Sequence, residues 1–98
     1  MKAFSVSNMR TPLQLREEAL MISVEKAIRR IVDFRKEHKI VPARAPWREL
    51  REVLTPEEWT KLEQMVKIGL VKEYRGIHYP SYEVDYPALR AFEREAMS

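Results

Sequence analysis

The chain has no cysteine, and only two glycines and two histidines among its 98 residues. Each shortage removes a class of chemistry. Without thiols there is no disulfide framework, no thiolate nucleophile and no cysteine-held zinc, and the natural setting of such a chain is the reducing cytoplasm. The two glycines, Gly69 and Gly76, stand apart and cannot build the glycine-rich turn that cradles phosphate. His38 falls near the expected end of a helix and His78 in an expected hairpin, neither with a second ligand at helical or hairpin spacing, so no metal is expected. No apolar run approaches the roughly 20 residues that span a bilayer, and Met1 to Ser7 lacks the apolar stretch of a secretory signal. The adjacent carboxylates Glu17-Glu18 and Glu57-Glu58 point in different directions on their helices and do not read as an acid–base pair. Neither an enzyme, nor a cofactor, nor a small-molecule site is expected.

What remains is an ordinary globular composition. Hydrophobic residues make up 45% and charged residues 34% of the chain, enough for one modest core and too little for two. The expectation is one domain over residues 1–98, with residues 1–10 as a flexible N-terminal segment in which Phe4 and Val6 give a faint strand alternation. The net charge of +3 permits a nucleic-acid partner without demanding one.

The stretch from Thr55 to Val84 organises the chain. Thr55, Pro56 and Glu58 spell a capping box with proline at the first helical position. Trp59, Leu62, Met65 and Val66 then recur at helical spacing until Gly69, which can take the left-handed conformation that ends a helix while Leu70 folds back on the last turn. Leu70, Val71 and Tyr74 suit a strand, Arg75 and Gly76 a turn, and the residues through Tyr82 and Val84 a second strand, made irregular or wide by Pro80.

Upstream, Thr11, Pro12 and Gln14 repeat the same cap logic and open a long helix with Leu13, Leu20, Val24, Ala27, Ile28, Ile31 and Phe34 on its main apolar face, fading near His38. At about 1.5 Å per residue it is a rod of roughly 40 Å. Leu15, Ala19 and Ile22 form a second stripe on nearly the opposite side, which reads as a homodimer interface. Alternatively, Phe4 and Val6 fold over it, or the helix breaks near Glu17 and changes phase. Lys39 to Pro42 is a candidate short strand and Ala43 to Pro46 a turn. Pro46 opens a helix from Trp47 to Leu54, and Asp85, Tyr86 and Pro87 cap a short last helix, with Leu89 and Phe92 on one side, expected to pack on the first.

Trp47-x-x-Leu50, Trp59-x-x-Leu62-x-x-Met65-Val66 and Gly69-Leu70-Val71, in the order long helix, short strand, short helix, tight turn, capped helix and hairpin, resemble the winged helix-turn-helix superfamily over roughly Leu13 to Val84. The fold class expected is α+β, mainly helical. The resemblance implies that Pro56 to Ile68 would be the recognition helix and Val71 to Val84 the wing, and that the module would bind double-stranded DNA as a regulator of transcription. On a helical wheel Glu57, Thr60, Lys61, Gln64 and Ile68 share the face opposite Trp59, Leu62 and Val66, and Thr60, Lys61 and Gln64 suit base edges or phosphate. Glu57, Glu58 and Glu63 oppose this, and a solvated helix face accounts for the same residues. Arg44, Arg48 and Arg51 lie in the most basic part of the chain, where the resemblance has the second helix crossing the phosphate backbone, and Lys72 and Arg75 would add the wing's charge. Tyr74, His78, Tyr79, Tyr82 and Tyr86 crowd thirteen positions; they read either as hairpin packing or as a surface that stacks bases or anchors a protein. The competing function is a winged helix used only for protein contact or oligomerisation. A continuous positive ridge from Arg44 through Lys61 to Arg75 would favour DNA, and its interruption by Glu57 and Glu58 a protein partner.

Overall fold

The computed structural model describes residues 11–97; the strand alternation and flexibility expected of residues 1–10 lie outside the described residues. Among these the protein is mainly helical α+β, with four helices and one three-stranded antiparallel sheet, in the order α1 (Pro12–Glu37), β1 (Ala45–Pro46), α2 (Trp47–Val53), α3 (Pro56–Lys67), β2 (Val71–Tyr74), β3 (Ser81–Val84) and α4 (Tyr86–Met97).

α1 and α3 begin on reciprocal caps. Thr11 Oγ1 accepts from the Gln14 amide at 3.1 Å while Gln14 Oε1 accepts from the Thr11 amide at 2.9 Å; Thr55 and Glu58 repeat the exchange at 3.1 and 2.8 Å. Each box satisfies two amides that a helix start otherwise leaves open. α3 ends at Lys67, and Gly69, at φ +85°, turns the chain. The Leu70 amide reaches back to the Met65 carbonyl at 2.8 Å and the Gly69 amide to that of Val66 at 3.2 Å, the paired bonds of a Schellman ending. That turn delivers Leu70 and Val71 directly into the core.

The sheet order is β1–β3–β2, with Val71 opposite Val84 and Tyr74 opposite Ser81 in one pair, and Ala45 opposite Tyr82 in the other. One face of the sheet packs on the helices. Val24, Ile28 and Val32 of α1 meet Leu50, Leu62, Met65, Leu70, Val71, Tyr82, Val84 and Leu89 there. Burying a side chain such as Leu62 contributes about 1.5–3 kcal/mol.

Three expectations need correcting. The strand expected at Lys39 to Pro42 is absent, and the expected turn contains β1 instead. Lys39 adopts φ 55° as the chain leaves α1, and Val41 is 85% exposed, so that segment is a helix exit with no strand to pair with. Pro46, which has no amide to donate, sits at the sheet edge, and the Trp47 amide takes up the pairing with Pro80 O at 3.0 Å. The core face of α1 is the row Val24, Ile28, Val32 rather than one reaching Phe34. Phe34 stands about 200° around the helix from Val32; it is exposed and stacks on His38 with ring centroids 4.1 Å apart. Finally, α4 is not short: it runs for 12 residues, capped by Asp85 Oδ1 accepting from the Ala88 amide. As expected it lies against α1, where Tyr86 donates its hydroxyl to Glu25 at 2.6 Å.

Candidate nucleic-acid interface

α2 is short because Pro46 opens it and Thr55 starts the next helix two residues past its end. Leu50 is fully buried and fixes its rotation, which leaves Arg48 and Arg51 exposed and Trp47 at the boundary. Trp47 is the hub of an aromatic chain. Its ring lies parallel to Tyr79 at 4.9 Å and edge-on to Trp59 at 6.2 Å, and Trp59 meets Tyr82 edge-on at 6.1 Å. The chain runs from the hairpin loop, residues 75–80, through α2 and α3 to β3.

Guanidinium groups cover these rings. Arg51 lies 4.9 Å from the Trp47 centroid, Arg48 lies 5.6 Å from Tyr79, and Arg44 lies 3.5 Å from Tyr74 on the outer side of the hairpin. Such contacts are worth about 0.5–1 kcal/mol each at exposed sites. A guanidinium over a ring face still has N–H groups to offer another acceptor.

Acceptors within the chain go to other cations. Arg16 pairs with Glu57, Lys61 with Glu17, Arg35 with Glu49 at 2.8 Å and Arg29 with Glu25 at 3.4 Å. Among the described residues no carboxylate pairs with Arg44, Arg48, Arg51, Lys72 or Arg75. Lys72 does face Glu83 across the ladder, where Glu83 accepts from the Tyr74 hydroxyl at 3.0 Å.

Lys61 is not on an exposed reading face. It is 8% exposed and its ammonium meets Glu17. Position 61 is one residue from buried Leu62, on the flank that α1 covers, so its alkyl stem is buried while its charge reaches a carboxylate at the edge. With Glu57 held by Arg16 one turn earlier, two ion pairs stitch α1 to α3. Thr60 and Gln64 remain exposed, the Thr60 hydroxyl donating to Pro56 O at 3.1 Å, with Glu63 and Lys67 beside them. That face carries no net charge. Toward the hairpin, Glu63, Lys67, Glu73 and Tyr82 line a hollow of about 350 Å³. Burial, then the hydrogen bond to Glu73, pushes the Tyr82 hydroxyl well above its usual pKa, so it stays a donor. A continuous positive ridge from Arg44 through Lys61 to Arg75, which would have favoured DNA, is therefore broken at Lys61.

Leu15, Ala19 and Ile22 are all exposed, Leu15 and Ile22 at 53% and 54%. Ile22 also lines a hollow of about 310 Å³ with Met21, Leu89 and Phe92 between α1 and α4. Of the crowded tyrosines, Tyr82 is buried, Tyr74 and Tyr86 are half-buried and hydrogen-bonded to carboxylates, and Tyr79 is exposed. Among the described residues no cluster of three or more His, Asp or Glu is placed to hold a metal, and no helix is long and apolar enough to cross a membrane. The placement of Arg48 over Tyr79 has no signal in the local pattern, because Tyr79 arrives from a loop distant in sequence, whereas Arg51 over Trp47 is an i,i+4 pair on α2. Comparison with protein-family models, with curated proteins and with solved structures returned no match.

Proposed function

We propose that the chain is a non-catalytic winged helix-turn-helix module that binds duplex DNA, with the start of α2 and the hairpin as its contact surface. The element order and the β1–β3–β2 sheet are compatible with that architecture. The observation that carries the reading is the contrast among cations. Arg16, Arg29 and Arg35 on α1 and Lys61 on α3 each pair with a carboxylate, while Arg44, Arg48 and Arg51 lie over aromatic rings with no carboxylate partner. Phosphate oxygens are the acceptors such forks suit. The lack of cysteine fits work in a reducing cytoplasm. Fluorescence titration with duplex DNA tests this: binding that weakens steeply with salt is expected, and no binding at low salt overturns it.

A second reading, a protein-contact module that dimerises through α1, is favoured by the neutral outer face of α3 and by the exposed stripe Leu15, Ala19 and Ile22. An isologous contact would cover that stripe on both copies at once.

A further inference from the structure

The hollow of about 310 Å³ between α1 and α4 serves neither the core nor the arginine layer. α4 starts beside Glu25, held there by the Tyr86 hydroxyl, and the hollow extends from Glu25 to Glu18 along α1 and from Leu89 to Ala96 along α4. α4 therefore runs back toward the start of α1. Leu89 closes the core, and past it no described residue of α4 is buried: Phe92 is 37% exposed, and Ile22, on the α1 side of the same hollow, 54%. A scattered surface apolar residue needs no explanation, but Met21, Ile22, Leu89 and Phe92 line one trough. The lining recurs at i, i+3, i+4 and i+7 on both helices, at positions 18, 21, 22 and 25 of α1 and 89, 92, 93 and 96 of α4. Each helix thus presents one stripe to the gap, and two such stripes side by side are the surface on which a third helix packs. From position 18 to 25, at about 1.5 Å per residue, the stripe is about 10 Å long, two turns of the helix it would accept.

Charge selects that helix. The polar lining is Glu18, Glu25 and Glu93, and no described lysine or arginine lines the hollow, although the chain holds 18 of them against 15 carboxylates. Glu25 also meets Arg29 at 3.4 Å, whereas Glu93 has no ion-pair partner among the described residues. We infer that the trough docks a basic amphipathic helix of another protein, whose apolar anchors enter between Ile22 and Phe92 while its lysines or arginines meet the glutamates at the rim. A second copy of this chain suits the trough less, because an isologous contact sets the acidic rim against itself. The inference stands without DNA binding, and it gives Ile22 a partner other than a second copy. Docking would also hold the last turns of α4, too short to be stable alone, so their amides should exchange more slowly in the complex.

The test titrates the full chain with a labelled synthetic peptide carrying leucine at i, i+3, i+4 and i+7 and lysine elsewhere, and with its counterpart in which glutamate replaces each lysine. The lysine peptide should bind, less tightly as salt rises, and the glutamate peptide should not. Phe92→Ser should weaken binding about tenfold or more, as truncation of an anchor does. Glu93→Gln should weaken it several-fold at low salt, whereas Glu95→Gln, on α4 but outside the hollow, should leave it unchanged. These side chains are exposed, and melting curves check that the variants fold. Failure of the lysine peptide to bind at low salt, equal binding of the glutamate peptide, or an equal loss in Glu95→Gln overturns the proposal. So does sedimentation showing a wild-type dimer that Ile22→Asp dissociates and the lysine peptide does not, which gives the face to a second copy. Each of these results leaves the DNA-binding reading standing.

Discussion

Replacing Arg48 and Arg51 together by glutamine removes two charges from the proposed contact surface while leaving the core untouched, since both side chains are exposed. Each phosphate neutralised by a protein cation contributes about −0.9 to the slope of log affinity against log salt. If Arg44, Arg48, Arg51, Lys72 and Arg75 each meet one phosphate, the wild-type slope reaches about −4.5, and affinity falls about 500-fold between roughly 50 and 200 mM salt. The double variant should show a slope of about −2.7 and lose only about 40-fold over the same range. The matched control is Arg35→Gln, which removes a charge already paired with Glu49 at 2.8 Å and should leave the slope alone. Fluorescence anisotropy of labelled duplex across a salt series measures all three slopes, with melting curves confirming that the lost cation–π contacts, about 1 kcal/mol each at most, have not unfolded the domain. An unchanged slope in the double variant would refute the reasoning, as would an equal change in Arg35→Gln.

Gly69→Ala should destabilise the fold by about 1–2 kcal/mol, the cost of a left-handed L-residue, because φ is +85° and an added Cβ meets nothing within 4 Å that could offset it; urea denaturation reads this directly. Burial and the hydrogen bond to Glu25 raise the Tyr86 hydroxyl from its usual 10.0 to about 12. The unfolded chain therefore loses that proton first, so the stabilisation is complete below pH 10 and vanishes as pH rises through about 12. Tyr86→Phe should flatten stability across that window. Sedimentation velocity at several concentrations tests the second reading: if α1 dimerises, Ile22→Asp should yield a monomer where wild type self-associates, and a wild type that stays monomeric at the highest concentration dismisses the dimer.

Helix ends were the legible part of this sequence. Thr11, Thr55 and Gly69 act on backbone groups within a few residues of themselves, so their roles follow from local chemistry and reappear as two capping boxes and a Schellman turn. Choices settled across the fold were not legible. The seven apolar positions expected on the main face of α1 include Val24 and Ile28 but not Val32, and only packing against α3 and β3 adds Val32 to the core row while leaving Phe34 outside. β1 could not be placed because Ala45 and Pro46 form a strand only by pairing with Ser81 and Tyr82, far along the chain. Lys61 failed as a contact residue for the same reason: a helical wheel puts it beside Gln64, but cannot show that Glu17 of α1 waits on that flank.

The fate of Lys61 bears on what kind of DNA contact the module would make. Sequence is read by side chains at base edges, whereas phosphate contacts fix position without discriminating. α3 has tied Lys61 to Glu17 and Glu57 to Arg16, leaving Thr60 and Gln64 as neutral groups able to touch bases, with Glu63 beside them repelling phosphate. The cations that lie over rings are instead Arg48 and Arg51 of α2, at the aromatic chain from Tyr79 to Tyr82, and Arg44 just before β1. Affinity would then come from phosphates rather than from base edges read by α3. On this reasoning Gln64→Ala changes sequence preference little, which anisotropy titrations against a panel of duplexes measure, and a marked change of preference would return the reading role to α3.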